Sequence, residues 1–199
     1  MKTAYCFDLD GTITKDEVLP LLAKEIGLYE EINALTEATI KGVIPFYNSF
    51  LLRCKLLRDV PISKVHNILE SVRISERIST FIKENKDNCF IITGNLDAWV
   101  EPLLQSFGCK YFCSLAEVEG DMLIKPSVVL DKGEVIKKLR NDFTKIVAIG
   151  DGMGDVSMFE QADIGIAYGG VHSPIQMLVQ WSNFITFHDK SLCNLLNTL

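Results

Sequence analysis

Three stretches of the chain are apolar with hardly an interruption, and each stops on acids, glycines or hydroxyls. They are Ala4 to Phe7 ahead of Asp8, the run in NCFIITGN ahead of Thr93-Gly94-Asn95, and the run in KIVAIGDGMGD ahead of Gly150-Asp151. Short unbroken apolar runs rich in β-branched and aromatic residues are the pattern of strands buried on both faces. Helical patterns lie between and after them, over Ala98 to Phe107, Gly133 to Arg140 and Asp155 to Gln161. Strands alternating with helices predict right-handed βαβ units in a parallel sheet. CKYFCS, DIGIAYG and SNFITF add strands to it, the last at an edge, and Glu117 to Ile124, turning at Glu119-Gly120-Asp121, predicts a small hairpin.

From about Thr14 to Ser75 the pattern is helical throughout. Leu19, Leu22 and Ile26 share one face, then Ile32, Leu35 and Thr39, then Val65, Ile68 and Leu69, with breaks at Gly27, Gly42 to Pro45 and Asp59 to Pro61. The prediction is an α/β protein with a Rossmann-like parallel-sheet core, residues 1–14 and 76–199, flanked by helices. A small all-helical cap, residues 15–75, is inserted after the first strand and placed over the strand ends.

In a parallel sheet every strand's C-terminal end lies on one edge, so Asp8, Asp10, Thr93 and Asp151 converge although they are far apart in sequence. With a side-chain period of two, Asp8 and Asp10 point the same way if extended geometry persists to Asp10. Four acids in one cleft, Asp8, Asp10, Asp151 and Asp155, repel one another unless a cation sits among them. A hard divalent ion such as Mg²⁺ takes such oxygen ligands. Thr93, Gly94 and Asn95 offer a hydroxyl and backbone amides to phosphate oxygens. Lys132, in VLDKGEVIKKL, supplies a positive charge if it enters the cleft; the Asp131 to Glu134 spacing equally fits a helix cap with Lys132 solvated in its first turn. Together these parts describe phosphoryl transfer.

Bulk properties narrow the partners. The 199 residues are 48% hydrophobic and 23% charged, as expected of a globular chain able to bury a core. A net charge of −6 disfavours nucleic acid, but not a small phosphorylated substrate. No apolar run approaches the ~18 residues of a membrane span and no signal sequence is evident, so a cytoplasmic protein is expected. The six cysteines, Cys6, Cys54, Cys89, Cys109, Cys113 and Cys193, form no C-x-x-C pair and read as buried free thiols rather than a zinc site. His66, His172 and His188 are isolated and read as structural; Trp99 and Trp181 read as packing residues.

DLDGT (Asp8 to Thr12), the ITG hydroxyl of Thr93, Lys132 and GDGMGD (Asp151, Asp155) resemble, in order, the four motifs of the haloacid dehalogenase-like phosphatases, and the helical insert resembles that superfamily's type-1 cap. The resemblance implies Asp8 as the nucleophile that forms an aspartyl-phosphate, and Asp10 as general acid and then base. It implies Mg²⁺ on Asp8, the backbone carbonyl of Asp10 and Asp151, with Asp155 in support. Thr93 and Lys132 hold the phosphoryl group and the nucleophile.

Substrate choice then falls to the cap. Phe46, Phe50, Arg53 and Leu57 recur at i, i+4, i+7 and i+11, which puts Arg53 on an apolar stripe, where it either snorkels to water or faces the cleft and grips a carboxylate. Thr14 to Glu17 reads as a capping box, or Glu17 stands free at the cap entrance for a substrate ammonium. In FYNSFLLRCKLLRDVPISKV the chain is similar to the caps of phosphoserine phosphatases, with Phe46, Arg53 and Glu17 where those enzymes contact substrate. The resemblance implies a small phosphorylated metabolite with amino and carboxylate groups, L-phosphoserine first. Gly11, Asn95, Gly154 and Ile40 depart from the pattern, where serine, glycine, asparagine and methionine are expected. Another small phosphomonoester, transfer to an alcohol acceptor and a non-catalytic phosphate-binding module are the alternatives. Oligomeric state is not legible.

Overall fold

The computed structural model describes residues 2–199. In chain order its elements are β1 (Thr3–Phe7), α1 (Val18–Lys24), α2 (Tyr29–Ile40), α3 (Phe46–Leu57), α4 (Ile62–Leu69), α5 (Glu76–Glu84), β2 (Cys89–Leu96), α6 (Asp97–Gln105), β3 (Lys110–Glu119) and β4 (Met122–Val128). There follow α7 (Lys132–Leu139), β5 (Lys145–Gly150), α8 (Val156–Gln161), β6 (Ile164–Tyr168), α9 (Gln176–Gln180), β7 (Phe184–Thr186) and α10 (Asp189–Leu196). The strands form one sheet in the order β4-β3-β2-β1-β5-β6-β7. Every pairing is parallel except β3 with β4.

β1 lies at the sheet's centre, between β2 and β5, so Ala4, Cys6 and Phe7 are fully buried. One sheet face packs Ala4, Cys6, Phe90, Ile92, Ile146 and Ala148 under α7, α8 and α9. On the other, Phe7, Ile91, Val147 and Ile149 join a cluster that runs without a break into Leu19, Leu22, Phe50, Leu57 and Val65 of the helical block. α1 to α4 therefore share the sheet's core instead of closing one of their own. The block joins the sheet through a two-stranded neck: Thr14 bridges Ile74 antiparallel, Lys15 N–H donates to the Arg73 carbonyl at 2.7 Å, and Asp16 pairs with Arg73.

Several sequence expectations are corrected. β2 does not stop at Thr93-Gly94-Asn95 but runs through to Leu96, with a register irregularity against β3. CKYFCS and the first arm of the hairpin are one continuous strand, β3, parallel to β2 in its first half and antiparallel to β4 in its second. α5, α9 and α10 had no expectation behind them; α9 is five residues long, too short for a clear period. All six cysteines are free, but only Cys6, Cys54 and Cys89 are buried. Trp99 is a buried packing residue, whereas Trp181 is half-exposed. No helix among the described residues is long and apolar enough to cross a membrane.

Candidate active site

Asp8 leaves β1 with its N–H still donating to the Ile149 carbonyl of β5, so the sheet itself fixes its position. The chain then turns through Leu9–Ile13, a wide loop closed by Thr14 N–H on the Leu9 carbonyl at 2.9 Å. Asp8 and Asp10 thus converge through a turn and not through the alternation of a strand. Gly11 makes the turn possible. Its φ is +69°, and a Cβ there would press on the Asp151 carboxylate at 2.8 Å.

Lys132 resolves the two readings of its sequence context. Asp131 caps α7 through Gly133 N–H at 2.8 Å, yet Lys132 is buried, its Nζ 2.5 Å from Asp8 Oδ1 and 2.7 Å from Asp155 Oδ1. Glu134 pairs with Lys137. Burial alone would lower the Lys132 ammonium's pKa, but Asp155 and Asp8 outweigh it and hold the pKa above the usual lysine range. Asp155 spends its other oxygen on Asp151 N–H at 3.0 Å and Gly152 N–H at 3.1 Å, which folds the GDGMGD loop back over the site.

Asp8, Asp151 and Asp155 each present an oxygen within 4.8 Å of the others. Burial first, then neighbouring carboxylates, pushes Asp8 and Asp151 well above the ordinary aspartate pKa. Such a buried all-oxygen donor set fits a hard divalent cation, which would relieve that repulsion. The Asp10 side chain is not in the cluster: its Oδ1 accepts from Val18 N–H at 2.8 Å and its Oδ2 from Asn95 Nδ2 at 2.5 Å. It, and not the Thr14 to Glu17 box, caps α1; Thr14 Oγ1 donates instead to the Leu9 and Asp16 carbonyls. Burial, followed by the nearby Glu17 charge, raises Asp10 to about 7.

A cavity of about 540 Å³ opens above these acids, lined from the sheet by Asp8, Asp10, Gly94, Asn95, Lys132 and Asp151 and from the helical block by Glu17, Phe46 and Arg53. Thr93 lies behind that wall, 1% exposed, its Oγ1 accepting from Asn95 N–H at 3.2 Å. The Asn95 amide is therefore not free for a phosphate oxygen. Phe46 stacks on Phe50 and rests against Gly94, where any Cβ would run into its ring.

Arg53 does not snorkel. It is 6% exposed, held by the Thr36 hydroxyl at 3.2 Å and the Ser49 carbonyl at 3.4 Å, and pairs with no carboxylate among the described residues. Glu17 is not solitary either: its Oε1 lies 3.2 Å from Nε2 of His172, which had read as isolated. The Glu17 hydrogen bond pulls the His172 pKa above the usual histidine value against the effect of burial. A signal for His172 existed, since YGGVHSP follows β6 at the sheet edge that carries the acids. His66, by contrast, does have a structural partner, the Ala98 carbonyl at 2.8 Å.

The haloacid dehalogenase-like hydrolase family model matches residues 6–160, spanning every motif residue described above. The chain belongs to that family. Phosphoserine phosphatases of Methanocaldococcus jannaschii and Homo sapiens are each 29% identical to it over 184 residues, covering 84% of this chain and 85% and 81% of theirs. A substrate-bound phosphoserine phosphatase complex superposes with a TM-score of 0.87 at 26% identity, covering 100% of this chain and 99% of that one. The chain is a haloacid dehalogenase-like phosphatase, similar in sequence and fold to phosphoserine phosphatases.

Proposed function

We propose that the enzyme hydrolyses L-phosphoserine to L-serine and phosphate with Mg²⁺, in a reducing, cytoplasmic compartment that keeps its thiols free. Arg53 carries the substrate assignment. A guanidinium held out of water with only neutral partners is costly, and a substrate carboxylate in the same cavity as Asp8 removes that cost. Glu17, on the same wall, suits the ammonium.

Asp8 attacks phosphorus in line through Oδ2, to which nothing donates among the described residues; the bond to the serine oxygen breaks and an aspartyl-phosphate forms. Asp10, whose pKa burial and the Glu17 charge push up, gives its proton to the departing alkoxide. It then takes a proton from the water that attacks the phosphoenzyme, releasing phosphate and restoring Asp8. Lys132 holds Asp8 in place and offsets negative charge on the phosphoryl oxygens. Thr93 supports the strand end from which Gly94 and Asn95 reach the cleft. Asp8, the Asp10 carbonyl and Asp151, with Asp155 behind them, would hold Mg²⁺, which when bound would supply the charge that lets phosphate and carboxylates coexist. Residues 15–75 act as the cap that selects the substrate.

The test is phosphate release from L-phosphoserine with Mg²⁺, beside Asp8→Asn. Turnover that vanishes in the variant is expected. Turnover surviving in Asp8→Asn would refute the nucleophile, and turnover confined to esters without a carboxylate would refute the substrate.

A further inference from the structure

Asp10 is gripped from two directions. Val18 N–H, which holds Oδ1, is the first amide of α1 and belongs to the helical block; Asn95 Nδ2, which holds Oδ2, stands at the C-terminal end of β2 and belongs to the sheet. Asn95 is 6% exposed, and its backbone N–H is bound inward to Thr93 Oγ1, so its backbone is fixed to the strand while its side chain reaches Asp10. We propose that Asn95 is a positioning residue for proton transfer: it anchors the Asp10 carboxyl group to the sheet, in register with the Asp8 phosphoryl site, independently of where α1 stands.

The physical reason is geometric. A carboxyl group held at one oxygen keeps freedom about its terminal torsion and follows whatever holds it. Held by Val18 alone, Asp10 would shift with every displacement of α1, and a misplacement of about 1 Å costs proton transfer dearly. Asn95 removes that freedom from the sheet side, where Asp8 is fixed by Ile149. The inference rests on the reading of Asp10 as proton donor.

The leaving group separates this role from a merely structural one. An alkoxide needs a proton as it departs, whereas p-nitrophenolate does not, so a misplaced acid harms alkyl esters selectively. kcat/KM isolates the step in which the alcohol leaves. For Asn95→Gly and Asn95→Ala, kcat/KM should fall about 10- to 100-fold on L-phosphoserine, or on whichever alkyl phosphate is turned over fastest, within the ~10²–10⁴ a general acid contributes. On p-nitrophenyl phosphate it should change by less than about 3-fold. Equal losses on both substrates in the variant that folds, or no loss on either, would overturn the positioning role. Asp10→Asn, run in parallel on the same pair, tests the underlying reading. If it lacks the split, the acid assignment fails and the inference with it; if it shows the split and the Asn95 variants do not, only the inference fails.

Discussion

The two walls of the cavity handle charge in opposite ways. On the sheet side the charges are held against one another: Lys132 bridges Asp8 and Asp155, Asp155 is closed by two amides of its own loop, and Asp151 adds a carboxylate whose repulsion a divalent cation would relieve. On the helical side Arg53 is just as buried but has only neutral partners. A network fixed in place without the substrate is pre-organised for the step every substrate shares. A charge hydrogen-bonded only to neutral groups, with the Asp10 and Glu17 carboxylates nearby but not paired to it, is organised for one substrate in particular, and its cost is recovered fully only on binding.

That contrast predicts opposite responses to neutralisation. Lys132→Ala leaves two buried carboxylates without their cation, which should destabilise the fold by about 3–5 kcal/mol in urea unfolding. Phosphate release should fall by ~10²–10³ or more on every substrate. Arg53→Met removes a charge that had no ionic partner, so the melting temperature should hold or rise. KM for L-phosphoserine should increase about 10- to 100-fold, the worth of a charge-assisted hydrogen bond, while a phosphate ester lacking a carboxylate is almost unaffected. Should Arg53→Met destabilise as Lys132→Ala does, the two walls would not differ in kind.

The walls also touch, at Phe46 on Gly94. Gly94→Ala puts a methyl group where the ring lies, so Phe46 must move. An activity loss of about 10-fold on L-phosphoserine is expected, with part of it recovered when Phe46→Leu is added, because the shared contact makes the two changes non-additive. Strict additivity in the four-way comparison would mean that Gly94 is needed for something other than that contact.

Legibility divided along the same line. Asp8, Asp151 and the strand ahead of Thr93 could be placed because an apolar run that stops on an acid has one physical reading in a parallel sheet. The DLDGT turn could not, since its geometry depends on Gly11 meeting Asp151 across more than a hundred residues. For the same reason no local pattern indicates that Asp10 caps α1 and makes the nearby capping box superfluous. Arg53 was ambiguous because an apolar stripe is silent about what packs over it; Phe50, Leu57 and the sheet's own core decide that. The side-chain role of Asn95, which the sequence offers only for its backbone amide, and the role of His172 escaped because each acts through a partner, Asp10 or Glu17, at least 85 residues away.

The weakest link between the walls is the one that answers to pH. The Glu17 hydrogen bond raises His172 above its ordinary value near 6.5, with the Glu37 charge adding in the same direction and burial opposing. A base whose pKa is raised by folding contributes stability that is fully present below the unfolded value and is lost as pH rises through the folded one. His172→Gln should therefore lower the melting temperature at pH 5.5 and have a smaller effect as pH rises to 9, because the charged imidazole's contribution is lost as pH passes upward through the folded-state pKa. The pair is about one-third exposed on the histidine side, so water and salt screen it, and a difference of about 1 °C between the two pH values is the scale expected. In 0.5 M NaCl the difference should shrink further. A Gln variant that melts below the parent by the same margin at both pH values would make the contact a neutral hydrogen bond, and the two walls would then be joined without any contribution from charge at His172.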